Sequence, residues 1–213
     1  MSKTTFDKLS PERKERILSA GIRAFSQTSY KDVSTDTIIQ SCQISKGILF
    51  HYFGSKKAYY LTCLQTALDR LMEETKIEDA VDFYEILFSE MNRKMEMCQK
   101  YPNEMYMVNM ASRDPSQEIM RDKTEIIQRY MISVRVKSEE TLQLAMRTLK
   151  LKNQNLELCA KGLHLYINAL LNRYLLQYQH APDLFFRNSD SIKNEMKTYL
   201  DLMLYGMCNK EEL

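Results

Sequence analysis

The chain has 213 residues, of which 44% are hydrophobic and 27% charged, with a formal net charge of +2. This fits a soluble globular protein long enough to bury a core, either as one large domain or as a small domain joined to a larger one. No run of about 18 apolar residues marks a membrane span, and the polar N-terminal stretch MSKTTFDKLSPERKERI lacks the apolar segment of a signal peptide, so no membrane partner is expected.

With only 5 Gly and 4 Pro in a chain rich in Leu, Met, Lys, Glu and Gln, the composition predicts an all-α protein. Ser10-Pro11 supplies an N-cap and a proline at the first helical position. Ile17, Ala20, Ala24 and Phe25 follow at helical spacing, and this helix should end near 27–29. Ser34 then caps a short helix containing Ile38 and Ile39, which stops near Cys42-Gln43. Ser45 caps a third helix over about 45–52. Gly54-Ser55 ends that helix and caps a fourth, on which Leu61, Leu64, Leu68 and Leu71 share a face. Three helices in the first 53 residues, the last two short and joined by a tight turn, form a helix-turn-helix layout.

Farther along, the spacing predicts helices over about 79–99, from Pro102 to about Ser112, and from Pro115 toward Lys150 with a bend. Over 153–179 the apolar residues spread beyond one face, so that helix should be covered on more than one side. Pro182 should break the chain before a last helix over about 189–208. The five cysteines (Cys42, Cys63, Cys98, Cys159, Cys208) are odd in number and form no CxxC pair. They read as small buried hydrophobes in a reducing, cytoplasmic setting, with neither a disulfide framework nor a zinc site.

The charge is uneven. Residues 1–57 hold 10 Lys/Arg against 5 Asp/Glu, and residues 58–213 hold 20 against 23. A basic N-terminal quarter suits a polyanionic partner. Within it, the two-turn helix in CQISKGILFHYFGSKK carries more large side chains than one inner face can hold. Leu49 and Phe53, with Ile44, can close onto Ile38 and the first helix, leaving Lys46, Gly47, Ile48, Phe50, His51 and Tyr52 on or near the outside. The competing reading, that the aromatics pack against the fourth helix, suits any one of them better than all together. The outer set matches duplex DNA. Tyr52 and His51 can bond phosphates or base edges, and Lys46, Lys56 and Lys57 can neutralise phosphates. Ser45 and Ser55 present helix N-termini, Ile48 can meet a thymine methyl, and Gly47 permits close backbone approach.

Residues 12–64, above all ISKGILFHYFGSK and the preceding Y-x-x-V-S-x-x-x-I, resemble the DNA-binding domain of the tetracycline-repressor-like (TetR) family of bacterial transcription regulators. The resemblance implies a homodimer that sets its third helices into the major groove of a palindromic operator. It also implies a C-terminal helical domain that dimerises and binds an inducer. By position, Ser34, Thr35, Ser45, Lys46, Gly47, Ile48, Phe50, His51, Tyr52 and Lys56 match the family's DNA-contacting positions. Four residues depart from the pattern: Gln43 and Ser29 replace frequent glycines, Ile39 a frequent alanine and Ile48 a frequent threonine. A left-handed backbone at Gln43 would cost roughly 1 kcal/mol.

The resemblance fades past about residue 75. There, 13 of 14 Met and 11 of 13 Tyr follow residue 57. Met fills irregular spaces and Tyr adds one polar handle to an apolar body, as suits a pocket for an apolar or aromatic small molecule. The candidate liners are Tyr84, Phe88, Met91, Tyr106, Met110, Tyr130, Met131, His164 and Asn168; each could equally be core. His180, near Pro182, reads as surface. No carboxylate pair, Ser/His/Asp order, glycine-rich phosphate loop or metal spacing occurs, so neither an enzyme nor a cofactor is expected. The expected architecture is a helix-turn-helix DNA-binding domain over 1–56 and a helical ligand-binding and dimerisation domain over 57–213. Dimerisation would run through the helices at about 153–179 and 189–208, packed with their copies as a four-helix bundle. The leading reading is a ligand-responsive repressor, with activation open to the same parts. The alternative is a DNA-bound architectural or assembly factor whose C-terminal domain binds a protein.

Overall fold

A computed structural model describes residues 5–73, 82–151, 155–178 and 182–206. His180, Met207 and Cys208, and residues 153, 154 and 179 of the expected bundle helix, lie outside the described residues. Every regular element among those described is helical. A 3-10 turn at Phe6–Lys8 precedes α1 (Pro11–Phe25), α2 (Thr35–Cys42), α3 (Lys46–Phe53), α4 (Lys56–Leu71) and α5 (Phe83–Lys100). Then come α6 (Pro102–Arg113), α7 (Gln117–Met146), α8 (Leu156–Gln177), α9 (Pro182–Arg187) and α10 (Ser189–Tyr205). Pro182, after the end of α8, also opens a short helix ahead of α10, because its fixed φ and missing N–H suit a first helical turn.

The caps are local chemistry. Ser10 Oγ accepts from Arg13 N–H at 3.4 Å, Ser34 Oγ from Asp36 N–H at 3.2 Å, Ser45 Oγ from Ile48 N–H at 3.2 Å and Ser55 Oγ from Ala58 N–H at 3.1 Å. Each satisfies a first-turn donor that the helix itself leaves open.

The chain divides into two compact units, residues 1–75 with 96–135 and residues 76–95 with 136–213. In the first, α4 is the central pillar. Tyr59, Cys63, Leu64 and Leu68 are buried together with Ile17 and Phe25 of α1, Ile38 of α2, Leu49 of α3 and Met107 of α6. Gly21 is the point of closest approach between α1 and α4. A Cβ there would stand 2.4 Å from Tyr59 Oη and 2.5 Å from Cys63 Sγ. The Tyr59 hydroxyl uses that space to donate to Ile17 O at 2.6 Å.

In the second unit, Phe83 and Ile86 of α5, Leu142 and Met146 of α7, Leu163, Leu170 and Tyr174 of α8, and Ile192, Met196 and Leu200 of α10 form the core. One face of α8 is covered by this core. Its other face is not: Leu158, Leu165 and Leu176 are exposed by 57%, 70% and 66%, and Leu202 and Tyr205 of α10 are exposed too. Among the described residues, no helix is long and apolar enough to cross a membrane, and no group of three His, Cys, Asp or Glu is placed to hold a metal.

Candidate nucleic-acid interface

The site begins at the end of α2. Gln43 has φ 55° and ψ 47°, a left-handed conformation. Its N–H bonds Gln40 O at 3.3 Å, and the N–H of Ile44 bonds Ile39 O at 3.1 Å, closing the paired terminal bonds of a Schellman motif. The position that a glycine would occupy without strain is therefore left-handed here and filled by Gln. Ile39 and Ile44 both pack on the core beside this turn. Ser29, the other glycine departure, carries no positive φ. Its hydroxyl donates to Asp32 Oδ2 at 2.5 Å.

The turn delivers α3 with Leu49 buried at its inner face. Ser45, Lys46, Gly47 and His51 are exposed, and Ile48, Phe50 and Tyr52 are half-buried. At the front of the unit, Ser34 is exposed and Thr35 half-buried. Lys46 Nζ pairs with Asp36 Oδ1 at 3.2 Å, joining the first turns of α2 and α3 in an exposed ion pair. Gly47 differs in kind from Gly21. A Cβ at Gly47 would meet nothing closer than Ser45 Oγ at 3.9 Å. The fold has room for a side chain there and does not use it.

Gly54, at φ 76°, ends α3, and its N–H returns to Phe50 O at 2.7 Å. Lys56 is the first residue of α4. Its ammonium donates to Lys31 O at 3.2 Å and lies 4.8 Å from the Tyr30 ring centroid. Burial lowers its pKa, against the opposing pull of Glu118 and Asp32. An ammonium has three donors, so two remain for another partner. Lys57 is committed to Asp122 of α7 at 2.5 Å.

Sequence reasoning missed one support of α3. The Phe6 ring lies 5.9 Å from Tyr52 and 4.8 Å from Phe53, so the segment before α1 folds against the end of the helix. Phe6 and Leu9 are the apolar residues of an otherwise polar N-terminal stretch, and that was the available signal.

The nine candidate ligand residues are divided between the two units. Tyr84, Phe88, Met91, His164 and Asn168 fall in one unit and Tyr106, Met110, Tyr130 and Met131 in the other. Tyr84 and Phe88 stack at 6.0 Å and line an open groove of about 440 Å³ between α5 and α10. Its other lining side chains include Glu85, Asn92, Asp190, Lys193 and Lys197, so the groove is mixed rather than apolar. Its polar groups are largely paired with one another: Lys193 with Asn92 and Asp190, and the Lys197 ammonium 4.8 Å over the Tyr84 ring. Tyr106 and Met131 are exposed, and Tyr130 packs against the core of the N-terminal helices.

Residues 17–61, spanning most of α1 through the first turns of α4, match the family model of bacterial regulatory proteins, tetR family. This stretch is similar to the DNA-binding domain of the TetR family. The chain is 32% identical to the transcriptional regulator HbdR of Aromatoleum over 73 residues, 34% of this chain and 32% of that protein. It is 31% identical to IcaR, the negative regulator of the Staphylococcus aureus biofilm operon icaADBC, over 81 residues, 35% of this chain and 44% of IcaR. The chain thus spans less than half the length of the curated relatives it matches.

The fold extends the likeness along the whole chain. A TetR-family regulator from Chloroflexus aurantiacus superposes with a TM-score of 0.57 at 18% identity, covering 97% of this chain and 98% of that one. FadR of Bacillus subtilis, solved with stearoyl-CoA, gives 0.54 at 14%, covering 91% and 99%. The TetR-family fold is an N-terminal helix-turn-helix with a C-terminal helical domain, and TetR-family regulators are DNA-binding transcription factors, not enzymes.

Proposed function

We propose that this chain is a dimeric transcriptional repressor that reads a palindromic operator with α3 and is released from it by a small molecule. The observation that carries the reading is Gly47. An exposed helical glycine costs about 0.5–1 kcal/mol relative to alanine, and the space around this one imposes no need for it. A backbone that must approach another molecule closely supplies the reason. Around it, Ser34, Thr35, Ser45, Lys46, Ile48, Phe50, His51, Tyr52 and Lys56 are the proposed contacts. Ile48 supplies an apolar surface for a thymine methyl, and Lys46 and Lys56 neutralise phosphates. Residues 1–56 form the reading domain in this account, and residues 57–213 dimerise and sense.

Pairing of two copies is supported by the uncovered stripe of α8. Leu158, Leu165 and Leu176 recur at helical spacing, with Leu202 and Tyr205 of α10 exposed as well. Burying such a stripe against its own copy makes a four-helix bundle, and a dimer that reads successive major grooves needs its two α3 helices one helical turn of DNA apart, about 34–36 Å. FadR holds stearoyl-CoA within this fold, in keeping with an apolar or aromatic effector here. Such a ligand releases DNA only by preferring the conformation that DNA does not.

A second reading, an architectural factor whose C-terminal part docks a protein, draws support from Met131 and Ile132, both more than half exposed on α7. In vitro selection from random duplex separates the outcomes at the first step. The account expects an enriched sequence with twofold symmetry and a log–log salt slope of several units. Failure to enrich any duplex would sink it.

A further inference from the structure

Apart from Glu104, which pairs with Arg70, the buried polar residues of the first unit stand at one place, the α6–α7 corner. Asp114, Ser116 and Lys123 are exposed by only 5%, 2% and 3%. The Asp114 carboxylate accepts from Ser116 N–H at 2.8 Å with one oxygen and from Tyr30 N–H at 2.6 Å with the other. Lys123 donates to Ala111 O at 2.6 Å and to Asp114 O, closing the corner from beneath. Burial works to raise the pKa of Asp114, but the hydrogen bonds from Ser116 and Tyr30 and the Lys123 ammonium outweigh it, and the group stays below the usual carboxylate range.

Tyr30 belongs to the loop between α1 and α2, and it is gripped three ways. Its N–H goes to Asp114, its hydroxyl to Glu118 Oε1 at 2.7 Å, and its ring lies under the Lys56 ammonium. Lys56 also bonds Lys31 O. The residues just before α2 and just after α3 are therefore tied to each other, and both are seated on the corner. Apolar packing is non-directional and would allow the recognition unit to slip. Two directional bonds from Tyr30, its N–H to the buried Asp114 carboxylate and its hydroxyl to Glu118, would not.

We propose that Asp114 is a positioning residue for DNA reading: through Tyr30 it fixes the helix-turn-helix in the register in which α3 meets base edges. The inference rests on the DNA-reading function proposed above.

The test uses the full chain, the duplex that the wild type enriches, and a scrambled duplex as the non-specific probe, at a temperature well below melting. In Asp114→Asn one of the two N–H donors must face an amide NH2. Its affinity for the enriched duplex should fall about tenfold or more, while its affinity for the scrambled duplex, which depends on charge alone, stays within twofold. Glu118→Gln keeps a carbonyl acceptor for the Tyr30 hydroxyl and should bind as the wild type does. Glu118→Ala and Tyr30→Phe should each lose threefold or more on the enriched duplex only. If Asp114→Asn does not fold, Asp114→Ser, which offers no amide NH2 and too short a reach to accept from both N–H groups, decides by the same criterion. A folded Asp114→Asn that binds the enriched duplex within twofold of wild type, or that loses both duplexes in parallel, overturns the proposal. A wild type that enriches no duplex instead overturns the DNA-reading function on which it rests.

Discussion

Replacing Gly47 by alanine separates what the fold needs from what DNA reading needs. The new Cβ would find Ser45 Oγ at 3.9 Å and nothing nearer, an ordinary van der Waals contact that requires no repacking. Alanine restricts the unfolded chain more than glycine and is the better helix former, so the free protein should gain about 0.5–1 kcal/mol. For a chain of this length that is a rise in melting temperature of roughly 1–4 °C. DNA binding should move the other way. A methyl group placed where the backbone approaches the groove displaces each α3 outward, and the loss is incurred once per half-site. A total of about 1.4 kcal/mol or more, tenfold in Kd, is expected. Calorimetry and fluorescence anisotropy on the enriched duplex read the two effects independently. A variant that melts higher and still binds within twofold of wild type would refute the argument, because no folding defect could then be masking or mimicking the effect.

At Gly21 the opposite result is expected. Gly21→Ala drives a methyl into Tyr59 and Cys63 and strains the Tyr59–Ile17 bond, costing about 2–4 kcal/mol, measurable by urea denaturation. Gln43→Gly relieves a left-handed non-glycine backbone and should stabilise by about 0.5–1 kcal/mol with operator affinity retained; a loss of stability would contradict the strain. Leu165→Glu combined with Leu176→Glu should yield monomers by sedimentation with unchanged helix content, since both positions are exposed in the single chain. The carboxyl of Asp114 is held below its ordinary pKa, so its contribution is present above about pH 4 and fades as pH falls through the lower folded value. Asp114→Asn should accordingly flatten the acid limb of the stability profile, and an unchanged limb would show that other carboxylates set it.

Much of the reading domain was legible in the sequence because its signals are local. Ser10-Pro11, Ser34, Ser45 and Ser55 cap helices through bonds to residues two or three positions away, and the periodicity of Leu49 and Phe53 fixes which side of α3 faces inward. The left-handed turn at Gln43 was signalled by the resemblance, whose pattern has a glycine at that position. The α6–α7 corner was not, because Tyr30 and Asp114 are 84 positions apart and nothing near either residue signals the other. Phe6 was passed over because one aromatic in a polar segment has no periodicity to place it. The ligand residues were the least legible for a related reason. Met and Tyr enrichment is a property of composition, whereas which side chains meet depends on helix packing, and the chain distributes the nine candidates over two units.

The central claim is that α3 is the part of the molecule that touches bases. A photo-crosslinking residue at position 48, irradiated on the enriched duplex, tests it most directly. The account predicts crosslinks to bases at the centre of each half-site, with none from the same group placed at position 131. Crosslinks absent at 48, or confined to 131, would contradict it.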